Sequence, residues 1–200
     1  MLEYMWTRER QRGFTITELI IVIVAIAILA TIGIVSYSNV QRQARNAVRL
    51  KEVKDWVELV ELYYHKYKHY PGEGVAVDGG ACLGTGFPLG TDGKARCRER
   101  TNNPGYSYKE EDSVTLMNEF KAIADIPTTE KIPAGGDKWL VGPWIEFHYN
   151  EWGTLNISTA IDSDDPKDCE KAGFLGPWGD GNGTMICTTQ NLYNGSPSQS

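Results

Sequence analysis

The sequence predicts an α+β protein in which one long N-terminal helix packs on a small antiparallel β-sheet. Three observations carry this: an apolar run from Phe14 to Val35, an amphipathic stripe from Val53 to Tyr67, and alternating, aromatic-rich segments late in the chain. A length of 200 residues suits one compact domain plus an appended segment.

The apolar run comes first. Residues 19–30 read LIIVIVAIAILA, and no charge follows Glu18 until Arg42. With its flanks the run is about 22 residues, enough to cross a bilayer at about 1.5 Å per residue. It is too long for the apolar core of a secretory signal, and it holds a carboxylate at its start. A charge at the bilayer centre costs about 2.5 to 3.5 kcal/mol, so Glu18 requires a partner or a place at headgroup level near the helix N-terminus. No proline occurs between Phe14 and Tyr70, and Gly33 is the one flexible point.

An amphipathic half follows. Val53, Trp56, Val57, Val60, Tyr63, Tyr64 and Tyr67 recur at spacings of three and four, opposed by Lys54, Asp55, Glu58, Glu61 and Lys68. This stripe is expected to pack on the sheet until Pro71, Gly72 and Gly74 stop it. A helix from Phe14 to Tyr70 would be about 85 Å long. His65 and His69 have the i, i+4 spacing of paired metal ligands, but no third ligand lies nearby in sequence and no metal is predicted.

Residues 72–107 are rich in glycine and turn formers and read as a loop. A short helix is expected from Ser113 to Asp125, capped by Asp112 or Ser113, with Val114, Met117, Phe120 and Ile123 on its inner face. Trp144 to Tyr149 and Trp152 to Ile161 read as a hairpin turning near Asn150 and Glu151, and Thr184 to Thr188 as a third strand. The acidic run Asp162, Asp164, Asp165 and Asp168 lacks the glycine and terminal glutamate of an EF-hand and reads equally well as a solvated turn. Residues 191–200 are expected to be a flexible tail.

Charge divides the chain. Residues 36–68 carry seven Lys/Arg against four Asp/Glu, and residues 69–200 carry ten against nineteen. The acidic head disfavours phosphate backbones, so no nucleic-acid partner is predicted, whereas the basic stalk suits anionic lipid. The positive-inside rule does not orient the helix, because Arg42, Arg45, Arg49, Lys51 and Lys54 beyond the apolar run outnumber Arg8, Arg10 and Arg12 before it.

Cys82, Cys97, Cys169 and Cys187 all follow the apolar run, and an even count there points to two disulfides outside the cytosol. Three connectivities are possible. The two local bridges, Cys82 with Cys97 and Cys169 with Cys187, are favoured. Each would close a loop of roughly 15 to 20 residues and stabilise by about 3 kcal/mol. The cysteine spacing is not that of a zinc site. No nucleophile–base arrangement, phosphate loop or paired-carboxylate motif stands out, so neither catalysis nor a cofactor is predicted.

Arg8, Arg10 and Arg12 precede the string GFTITELIIVIVAIAILA that opens at Gly13. This string resembles the class III signal of type IV pilins and pseudopilins. The resemblance implies cleavage after Gly13 by a membrane-embedded prepilin peptidase and N-methylation of Phe14. Glu18, the fifth mature residue, would then pair with the terminal amine of a neighbouring copy. It further implies a type IV pilin-like fold with 1–13 a removed leader, 14–35 a transmembrane and assembly helix, 36–70 a stalk helix, 71–190 a disulfide-stapled head and 191–200 the tail. Cys169 and Cys187 would bracket a loop like the disulfide-bounded region of many pilins.

The implied partners are the peptidase, an assembly platform, other copies and minor pilins, and membrane lipid before assembly. The implied location is the cytoplasmic membrane, then an extracellular filament. Alternatives within this resemblance are a pseudopilin of a type II secretion-like system, which calcium at the acidic run would favour, and a minor pilin acting in adhesion or DNA uptake.

Overall fold

A computed structural model describes residues 13–72, 79–87, 89, 93–99, 110–127, 139–140, 142–148, 153–179 and 183–193. The chain divides into two units, Met1–Arg42 and Gln43–Ser200. Helix α1, Ile16–Tyr67, begins in the first and ends in the second.

In the first unit the helix is bare. Every large apolar side chain described from Phe14 to Ile34 is exposed, with Phe14 at 87%. A soluble protein does not leave so continuous an apolar surface open to water, because each such residue forgoes about 1.5 to 3 kcal/mol of burial. The helix is long and apolar enough to cross a membrane. Thr31, the hydroxyl residue in the middle of the apolar run, donates to the Ile28 carbonyl at 2.7 Å and so meets its hydrogen-bonding need inside the helix.

The second unit is the α+β body. Its strands are β1 (Gly79–Cys82), β2 (Arg96–Glu99), β3 (Glu110–Asp112), β4 (Trp139–Leu140), β5 (Trp144–His148), β6 (Thr154–Asp162), β7 (Leu175–Gly179) and β8 (Thr184–Thr188). They form one sheet in the order β4-β2-β3-β1-β5-β6-β8-β7. Strands β5, β6 and β8 are the ones expected from the sequence, and β5 and β6 pair from Trp144↔Ser158 to His148↔Thr154. The residues that join them lie outside the described residues.

The sheet departs from expectation in two ways. Among the described residues it has eight strands, and one of its pairs, β1 with β3, is parallel. Strands β1 and β2 fall inside the stretch read as a loop, since GGAC and RCRE have no apolar alternation to announce them. Their inward anchors are cysteines, Cys82 and Cys97, each with no exposed surface and bridged to one another at a Cα separation of 5.5 Å. The second bridge joins Cys169 to Cys187 at 5.3 Å, so the two local pairings are the ones formed.

Helix α1 lays Leu50, Val53, Trp56, Leu59, Val60 and Tyr63 on a core built with Ile145, Phe147, Leu155, Ile157 and Ile161. Of the anticipated stripe, Val57 and Tyr64 are half-buried at its margins and Tyr67 is largely exposed. The helix ends at Tyr67, three residues early. Lys68 takes φ 63° and its N–H donates to the Tyr64 carbonyl at 2.8 Å, a left-handed stop of the kind that closes a final turn. Tyr70 then folds back and stacks on Tyr64 with centroids 4.6 Å apart.

Helix α2, Val114–Lys121, is capped by Ser113, whose Oγ accepts from the Leu116 N–H at 3.2 Å. It is shorter than predicted, and Val114 is exposed while Leu116 joins Met117 and Phe120 in the core. Phe120 meets Trp56 edge-on at 5.4 Å. A one-turn helix α3, Lys167–Lys171, carries Cys169 to its bridge.

The expected tail is docked over residues 191–193. Thr189 and Asn191 extend the β6–β8 ladder: Ile157 N–H donates to Thr189 Oγ1 at 3.0 Å and Leu155 N–H to Asn191 Oδ1 at 2.9 Å. The Tyr70 hydroxyl donates to the Leu192 carbonyl at 2.8 Å. Residues 194–200 lie outside the described residues.

Candidate processing and assembly site

Gly13, Phe14 and Glu18 fall within the first turn and approach of α1. Among the described residues, a side chain added at Gly13 would meet nothing within 4 Å. The leader arginines lie outside the described residues.

Thr15 and Glu18 close on one another. The Thr15 N–H and the Thr15 hydroxyl both donate to Glu18 Oε2, each at 2.8 Å, and the Glu18 N–H donates back to Thr15 Oγ1 at 3.3 Å. This is a reciprocal capping box, in which N-cap and third helical residue satisfy each other's backbone donors. An unpaired backbone N–H costs several kcal/mol in hydrocarbon, so the box suits a helix start at a membrane. The prediction for Glu18 considered a helix-end charge or a partner from another copy and missed this internal one. The signal was present as Thr-x-x-Glu before an apolar run.

The other sequence candidates resolve into local structure. His65 and His69 do not share a helix face, because the helix stops between them. The His69 ring lies 5.4 Å from that of Tyr63 and its Nδ1 is 3.1 Å from the Tyr70 carbonyl oxygen, while the His65 ring sits beside Tyr64.

In the acidic run each carboxylate faces a protein donor. Asp162 lies 3.6 Å from Arg45 and 3.5 Å from Arg49. Asp164 accepts from the Gly183 N–H, Asp165 from the Lys167 N–H, and Asp168 from the Ser163 hydroxyl and Lys171. Three of the five basic residues that oppose the positive-inside rule are thus engaged, since Lys51 also pairs with Asp55.

Together these features define a membrane-anchored α+β protein whose exposed apolar helix is capped at its start by Thr15 and Glu18. Within it, residues 8–34 match the family model for the prokaryotic N-terminal methylation motif. This segment therefore carries a type IV prepilin-like class III signal, the kind of sequence that a prepilin peptidase processes. Comparison with curated proteins and with solved structures gives no match.

Proposed function

We propose that the chain is a structural subunit of a type IV pilus. Its leader, residues 1–13, is removed after Gly13, Phe14 becomes the methylated N-terminus, and the segment 14–35 moves from lipid into the core of an extracellular filament. Glu18 then meets the terminal amine of a neighbouring copy, so that each charge in the apolar core has its opposite and the pair sets the axial register.

The observation that carries this reading is the methylation motif over residues 8–34, coincident with a helical stretch whose described large apolar side chains, from Phe14 to Ile34, are all exposed. A filament subunit has to tolerate two apolar surroundings in succession, and a capping box that satisfies the helix start internally serves in both. The disulfide-bridged head keeps its own core and depends on neither.

Mass spectrometry of fibres sheared from the cell surface tests it. The chain should be present and begin at N-methylated Phe14. A mature chain beginning upstream of Gly13, or one clipped beyond Ala30 and released as a free protein, would overturn it.

A further inference from the structure

Four charged residues on the outward side of α1 follow a regular spacing. Lys51, Lys54, Glu58 and Glu61 are all exposed. Lys51 precedes Glu58, and Lys54 precedes Glu61, by seven residues, which is two helical turns and returns to the same face within about 20°. The face therefore carries two cations and, about 10 Å further along, two anions.

The structure leaves the anions available. Lys54 stands at i, i+4 from Glu58 yet lies instead over the Phe174 ring, 5.7 Å from its centroid. Among the described residues, neither Glu58 nor Glu61 has an ion pair. Both line an open groove of about 400 Å³, together with Val57, Phe174 and Leu192. Lys51 pairs with Asp55, but that exposed bond uses one of its three N–H donors.

We infer that this face is a contact between copies. A second copy lying parallel and shifted by two helical turns brings its Lys51 and Lys54 level with Glu58 and Glu61 of the first. The inference rests on the filament reading, because shared membrane insertion makes the copies parallel; an antiparallel pair would match the same charges without any shift. The contact is head-to-tail: each copy offers lysines to one neighbour and glutamates to another. Such a heterologous contact does not close on itself and propagates as a filament.

The full chain, expressed in cells that assemble fibres, tests this by charge exchange. Lys54→Glu and Glu61→Lys each place like charges together and should lower the sheared fibre yield by about fivefold or more, and the double variant should regain most of it. Carbodiimide treatment of wild-type fibres should join Lys54 or Lys51 of one copy to Glu61 or Glu58 of another, identified from mixed isotope-labelled subunits. Single variants that assemble like wild type, or a double variant that stays low while its melting temperature in detergent is unchanged, would overturn the contact. Wild-type fibres that lack the chain would instead overturn the filament reading, and the contact with it.

Discussion

Asn46 holds Asp162 by its backbone: the side-chain Nδ2 donates to the Asp162 carbonyl at 3.0 Å, and Oδ1 accepts from the Asp162 N–H at 2.9 Å. The amide thereby acts as a short piece of neighbouring strand at the end of β6. Arg49, only 4% exposed, reaches the Ala160 carbonyl at 3.3 Å and the Asp162 carboxylate from the same helix face. These contacts pin α1 to the sheet by polar bonds where its apolar stripe begins. Asn46→Leu should destabilise the head by about 1 to 3 kcal/mol, the cost of leaving two backbone groups unpaired. Denaturant unfolding of the detergent-solubilised chain measures this, and an unchanged midpoint would show that the clamp contributes nothing.

The cap at Thr15 makes a prediction separate from that for Glu18. Replacing an N-cap hydroxyl by alanine costs about 0.5 to 2 kcal/mol, so Thr15→Ala should fray the first turn, and Thr15→Ser should retain it. Hydrogen exchange of the amides of residues 15–18 in detergent micelles reports the difference. Equal protection in all three chains would argue against a working box.

Glu18→Ala should leave cleavage and membrane insertion largely intact and reduce assembly, whereas a bulky residue at Gly13 should leave the leader attached. Immunoblotting for precursor and mature forms, beside fibre yield, separates the two effects. Normal fibre levels in Glu18→Ala would contradict the pairing with a neighbour's amine.

Both bridges close short loops, with sequence separations of 15 and 18. Each is worth about 3 kcal/mol by loop-closure entropy. Thermal unfolding with reductant should therefore occur well below that without it. Coincident transitions would mean that the core around Trp56 and Phe120 suffices.

Tyr63 gives a pH dependence. Burial, with the Glu119 carboxylate beside it, pushes its hydroxyl up to about 12 from a usual value of 10.0. A raised folded-state pKa favours the protonated form, so this contribution is fully present below pH 10 and is lost as pH rises toward 12. Tyrosinate absorbance should show a late step that disappears in Tyr63→Phe; a step unchanged by the substitution would refute the assignment.

Residues 13–35 were legible because their signal is contiguous. A run of apolar residues, a glycine at one end and a glutamate five residues later need no knowledge of the rest of the chain. The inward stripe Val53, Trp56, Val60 and Tyr63 was legible for a similar reason, since helical periodicity is local, and so were the alternating strands β5, β6 and β8. The sequence also determined that the cysteines lie beyond the apolar run, although their pairing depends on which strands meet.

Tertiary structure alone decided the rest. Strands β1 and β2 carry almost no apolar pattern and exist because the sheet supplies hydrogen-bond partners and a cysteine bridge. The parallel placement of β3 beside β1 is a matter of chain crossing, which periodicity does not record. Asp162 looked like one member of an acidic turn, yet its partners Arg45, Asn46 and Arg49 lie more than 110 residues earlier, on α1. The docking of residues 189–193 against β6 and Tyr70 was hidden in the same way. The physical reason is common to all of them: a polar group far from its partner in sequence carries no mark of that partner until the apolar core has brought the two together.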